Sequence, residues 1–73
     1  MPGAGKGPMR SIDEAQVLMA IEEFESDGIP ATVESLTSHL HWDELRLHRA
    51  LERLLREHVI YGIGPFLHLT RDE

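Results

Sequence analysis

Apolar residues recur at helical steps between positions 12 and 24. Val17, Ala20, Ile21 and Phe24 fall on one side, with Leu18 flanking them. Ser11 and Glu14 have the spacing of a capping box, in which the hydroxyl and the carboxylate each accept a backbone N–H of the other residue. A first helix is therefore expected from this cap to about Ser26. It should stop at Asp27-Gly28, where Gly28 can take the left-handed cap. Ile12 and Met19 fall on the far side of that helix.

Ile29-Pro30-Ala31 reads as a minimal edge strand, because Pro30 keeps Ile29 out of helical space. Thr32 is a candidate N-cap for a second helix, Val33 to about His39, with Val33, Leu36 and Leu40 pointing inward. After the tight connection Leu40-His41-Trp42, Asp43 caps a third helix, Asp43–His58. Trp42, the single tryptophan, is expected to pack at the turn. Leu47, Ala50, Leu51 and Leu54 form the third helix's apolar stripe, and Arg46, Arg49, Arg53 and Arg56 recur at the same steps on nearly the opposite side. The period then turns extended. Val59–Ile63 and Phe66–Thr70, on either side of Gly64-Pro65, predict a hairpin.

The order of elements is helix, short strand, helix, tight turn, helix, hairpin. With the run Leu47…Ala50-Leu51…Leu54-Leu55…Val59-Ile60-Tyr61, it resembles the winged helix-turn-helix superfamily over about Ser11–Thr70. The expected fold is mainly α with a small β-hairpin, in the order α-β-α-α-β-β. Three pieces also resemble the C-terminal domain of the middle subunit of replication protein A. They are Gln16-Val17-Leu18, the break at Gly28-Ile29, and His58-Val59-Ile60-Tyr61 before a compact hairpin. The chain is similar as well to the C-terminal domain of archaeal minichromosome maintenance helicases. These two resemblances imply a docking or regulatory module. The fold itself serves both DNA binding and protein docking.

Composition narrows the classes. A chain of 73 residues, 41% hydrophobic and 27% charged, fits one small globular domain. Residues 1–10 are rich in Gly and Pro and read as a disordered tail, residues 11–70 as the domain, and 71–73 as a frayed end. Within the tail, Pro2-Gly3-Ala4-Gly5-Lys6-Gly7 resembles the phosphate loop of adenylate kinases. No strand precedes it, and Pro8 stands where a magnesium-binding hydroxyl is needed, so no nucleotide site is expected. Cysteine is absent, no apolar run approaches ~20 residues, and no signal peptide is expected. A cytoplasmic, nuclear or nucleoid location is the resulting expectation.

The net charge of −6 is unlike a generic nucleic-acid binder. Its distribution leaves room for one. Asp13, Glu14, Glu22, Glu23, Glu25 and Asp27 fall in residues 11–28 without a Lys or Arg, and the arginines concentrate on the third helix. A third helix of this kind commonly enters the major groove. Arg46 and Arg49 then become candidates for base edges, Arg53 and Arg56 for phosphates, and Thr32 and Ser35 for additional phosphate hydrogen bonds. Double-stranded DNA, bound in transcription or replication control, is the leading expectation.

The alternative is a protein-docking or dimerisation module of the same machinery. Asp43, Glu44, Glu52 and Glu57 neutralise the arginines of their own helix, and Leu45 sits outward beside Arg49 and Glu52. Leu45, Met19 and Ile12 are its candidate contacts. No metal is expected, because the histidines (His39, His41, His48, His58 and His68) show no i,i+4 pair on a helix. His58 is expected to face the core at the helix end, and His68 to face outward from the last strand. No cofactor is implied. Catalysis is not expected either, because Ser11, Ser26, Ser35 and Ser38 lack a base with its orienting partner.

Overall fold

The computed structural model describes residues 10–70. Residues 1–9 of the expected tail at 1–10, with its phosphate-loop-like run, and the end at 71–73 lie outside the described residues. Three helices, α1 (Ile12–Ser26), α2 (Val33–Leu40) and α3 (Glu44–Arg56), precede β1 (Ile60–Ile63) and β2 (Phe66–Leu69). The strands form one antiparallel hairpin, with Ile60 opposite Leu69 and Ile63 opposite Phe66.

Each helix starts where its cap places it. The Ser11 hydroxyl accepts the Glu14 N–H at 3.1 Å, and the Glu14 carboxylate accepts the Ser11 N–H at 3.4 Å. Thr32 and Ser35 repeat this reciprocal arrangement at α2, and the Asp43 carboxylate accepts the Arg46 N–H at 2.8 Å to start α3. Such side chains occupy backbone donors that the first helical turn cannot satisfy itself.

All three helices also end alike. A six-to-one bond runs from Ile29 N–H to the Phe24 carbonyl, from Trp42 N–H to Thr37, and from Val59 N–H to Leu54, at 2.8, 3.1 and 3.1 Å. The residue before each donor is left-handed: Gly28 (φ 73°), His41 (φ 61°) and His58 (φ 62°). This is the Schellman geometry, which favours glycine because it carries no Cβ penalty. Histidine occupies two of the three positions. The expected third helix therefore shortens by its last two residues, and His58 is exposed rather than core-facing. A left-handed residue outside the helix no longer keeps to the helical face assigned to it.

The core is one cluster. Val17, Ala20 and Ile21 of α1, Leu36 of α2, and Leu47, Ala50, Leu51 and Leu54 of α3 meet Ala31, Ile60 and Leu67. Leu18, Phe24, Val33, Leu40, Trp42, Val59 and Leu69 pack against it from the margins. The expected edge strand at Ile29–Ala31 reduces to a single bridge. The Leu67 N–H donates to the Ala31 carbonyl at 2.8 Å, and Ala31 pairs with Leu67 alone. That contact still joins the α1–α2 connection to the hairpin. The hairpin turns through Gly64-Pro65. Gly64 has φ 60°, and the proline ring fixes the next residue near −65°, the combination that suits a two-residue hairpin turn.

Arg10, expected in the tail, is instead anchored. Its guanidinium donates to Glu57 Oε1 at 2.7 Å, tying the approach to α1 to the end of α3.

Candidate interaction surfaces

α1 and α3 pack side by side, and this brings α1's first acids against the arginine row. Arg46 donates to Asp13 through Nε (3.0 Å) and Nη2 (2.9 Å). Its guanidinium also lies 4.2 Å from the Trp42 ring centroid, so Asp13 holds its edge and Trp42 one face. The hydrogen bond from Arg46 lowers the Asp13 pKa below its usual 3.8 against an opposing desolvation, and the same bond raises Arg46.

Glu14 is the buried charged residue of the described chain, at 7% exposure. It shares the α1 face with Val17 and Ile21. Its carboxylate lies 3.9 Å from Arg53 Nε and 3.9 Å from Arg10 Nη1, so one acid is flanked by two guanidinium groups. Arg56 completes the pairing with Glu52 at 3.7 Å on its own helix. Among the described residues, no ion pair or side-chain hydrogen bond engages Arg49.

The arginine row is thus divided. Arg46 and Arg53 are matched by α1's acids, Arg49 and Leu45 border the same seam without an ion pair to it, and Arg56 lies farther round the helix with Glu52. A shallow cleft of about 400 Å³ runs between the two helices, bordered by Ser11, Asp13, Leu45, Arg46, Arg49 and Arg53. Acids and arginines alternate along it, so it presents no uniform positive field.

The hydroxyls of Thr32 and Ser35 serve the backbone. Thr32 Oγ1 accepts from the Ser35 N–H at 3.0 Å, and Ser35 Oγ accepts from the Thr32 N–H at 2.8 Å. Ser35 Oγ can also donate to the Pro30 or Thr32 carbonyl. Glu34, Glu44 and Pro65 border the same depression as Thr32, which makes it acidic where a phosphate would need cations.

Ile12, Met19 and Leu45 are exposed, as their periodicity implied. Ile12 and Met19 lie on α1 and Leu45 on α3, and among the described residues no apolar groove joins the two helices' contributions. A second set of exposed apolar residues lies together on the hairpin. Strand alternation sends Ile60, Leu67 and Leu69 toward the core and Tyr61, Ile63, Phe66 and His68 to the outer face. There Tyr61 is 45% exposed, Ile63 58% and Phe66 40%, and Ile29 beside them is 47% exposed. Gly28, Ile29, Pro30, Phe66, His68 and Glu25 line an open, mainly apolar depression at the seam with α1. His68 stacks on Tyr61 with ring centroids 5.3 Å apart, and its Nδ1 lies 3.5 Å from Glu25 Oε2. The same Glu25 oxygen accepts the Leu69 N–H at 3.2 Å.

The sequence does carry a signal for this face. Ile60-Tyr61-Gly62-Ile63 is apolar at both parities, whereas a hairpin with one solvated face alternates. Its expected role as a small wing concealed that signal.

Among the described residues, no group of three His, Asp or Glu is placed to hold a metal ion. His39 instead packs edge-on against Phe24 and lies 3.7 Å from Glu23. No helix among the described residues is long and apolar enough to cross a membrane. No protein-family model, curated protein or solved structure matches the chain.

Proposed function

We propose that this chain is a winged helix domain that works as a protein-docking module and engages its partner through the outer face of the hairpin. The element order and the Ala31–Leu67 bridge support the winged helix reading, since the bridge ties the α1–α2 connection to the hairpin. One observation carries the docking reading. Tyr61, Ile63 and Phe66, with Ile29 beside them, leave a contiguous apolar face in solvent on a hairpin without Lys or Arg. Apolar patches of this kind mark interaction sites. A DNA-contacting wing would need cations to meet phosphate.

The test is a random-peptide display selection on the purified chain, followed by binding of the recovered peptides in synthetic form. Affinity is expected to fall about tenfold or more for the double variant Ile63→Glu with Phe66→Glu, and to hold for Arg49→Ala with Arg56→Ala. The reverse pattern overturns the docking face.

DNA binding through α3 stands as the second reading, favoured by Arg49 and Arg56, which point outward from the helix. Under it, a random duplex binds at low salt, weakens steeply as salt rises, and shifts the amides along Arg46–Arg56. Absence of binding at low salt removes it.

A further inference from the structure

Among the described residues, β1 has one paired edge and one open edge. Leu67 faces Gly62 in the hairpin register, and the Leu67 N–H turns away from β1 toward the Ala31 carbonyl. Antiparallel ladders alternate hydrogen-bonded and non-hydrogen-bonded pairs. Gly62 and Leu67 are therefore a non-hydrogen-bonded pair, and the N–H and C=O of Gly62 point away from β2. Gly62 is exposed. Ile60–Ile63 contains no charge and no proline, the devices by which natural edges resist further pairing.

The fold itself does not require glycine at this position. Among the described glycines, positive φ is confined to Gly28 and Gly64. A Cβ at Gly62 would meet the Phe66 carbonyl oxygen at 3.7 Å and Leu67 Cδ2 at 3.8 Å, both ordinary contacts. A strand glycine without such a need often marks the close approach of another backbone.

We propose that the open edge of β1 receives an extended, cationic segment of another protein as an added strand, hydrogen-bonded to the main chain of Gly62. This inference rests on the reading of the hairpin as the docking element. Alternate side chains of the segment would lie beside Tyr61 and Ile63 on the outer face, the usual source of specificity in strand addition. Charge and area select the occupant. The chain carries a net −6, and Arg10, Arg46, Arg53 and Arg56 are already ion-paired within it. A second copy would be repelled, whereas a segment with Lys or Arg would be attracted. The edge is 4 residues long. That falls well short of the roughly 800 Å² per partner of a stable dimer, and suits a short linear segment held weakly.

The probe is a synthetic peptide alternating valine and threonine between lysine ends, followed by amide NMR and hydrogen exchange on the full chain. Expected are shifts at Ile60–Ile63 and exchange at the Gly62 amide slowed about tenfold. The same peptide N-methylated at alternate amides should not bind, and a glutamate-ended version should bind about tenfold more weakly at low salt. Gly62→Pro removes the outward N–H at an edge position where proline is tolerated, and should abolish the peptide-induced shifts at Ile60, Tyr61 and Ile63. Ile63→Lys places a like charge at the edge without altering the main chain, and should weaken the lysine-ended probe with the circular dichroism unchanged. Shifts at Ile29, Phe66 and His68 without protection of Gly62 would overturn strand addition and leave the docking face standing. Equal binding by the glutamate-ended peptide overturns the cationic occupant. No binding by any probe at millimolar concentration overturns the strand itself, while the display selection judges the docking face separately.

Discussion

Asp13 and Arg46 join the first turn of α1 to the first turn of α3 through two parallel hydrogen bonds of 2.9 and 3.0 Å. The paired geometry matches a planar guanidinium to a carboxylate, which a lysine cannot reproduce. Arg46 is thus positioned by α1 and by Trp42, and offering its Nε and Nη2 to an outside ligand would break this pair.

The pair sets an acid dependence. The hydrogen bond from Arg46 holds the Asp13 carboxyl below its ordinary 3.8. A carboxyl lowered on folding stabilises the folded state fully above its unfolded value, and that contribution disappears as pH falls through the folded value. Urea midpoints measured between about pH 5 and pH 2 should therefore fall less steeply for Asp13→Asn than for the native chain. The difference should shrink in molar salt, because the pair is exposed. Parallel curves would show that the pair contributes nothing.

Left-handed cap residues offer stability that the chain does not use. His41 and His58 hold φ 61° and 62°. Replacing His58 by Gly removes the Cβ penalty of the left-handed region and should raise stability by about 1 kcal/mol in urea denaturation. His41→Gly should act in the same direction. Gly28→Ala and Gly64→Ala should each lower stability, since both glycines have positive φ although open space surrounds them.

The hydroxyls at the start of α2 separate capping from ligand binding. Thr32→Ala should cost about 1 kcal/mol through loss of the cap. It should leave the affinity of display-selected peptides unchanged. A loss of duplex-DNA affinity beyond that explained by unfolding would assign Thr32 a phosphate contact instead.

Leu54 tests how narrow the stability margin is. It is fully buried in α3 between the other helices and the hairpin. Leu54→Ala should cost about 2–5 kcal/mol. A chain of this size holds only roughly 4–11 kcal/mol in total, so the variant should be partly unfolded at room temperature by circular dichroism. Leu45→Ala, at an exposed position of the same helix, should change stability little.

Local signals in the chain determined the elements. Ser11, Thr32 and Asp43 set the helix starts because capping is a matter of residues three apart. Gly28 marked the first stop, and the periods of 3.6 and 2 separated the helices from the hairpin and named most of the core. Tertiary structure decided the rest. The pairing of Arg46 with Asp13 and of Arg53 with Glu14 depends on α1 lying beside α3, so the pattern of α3 alone could present all its arginines as one outward row. Glu14 reads as a solvated acid by type, and it is buried because it shares a face with Val17 and Ile21. His41 and His58 took left-handed positions that no glycine announced, since the six-to-one bonds and the packing of Trp42 and Val59 against the core offset the Cβ cost. Exposure of Tyr61, Ile63 and Phe66 required knowing that, among the described residues, no other element covers the hairpin's outer face. Alternation along a strand says which residues share a side, and only the packed molecule says which side meets water.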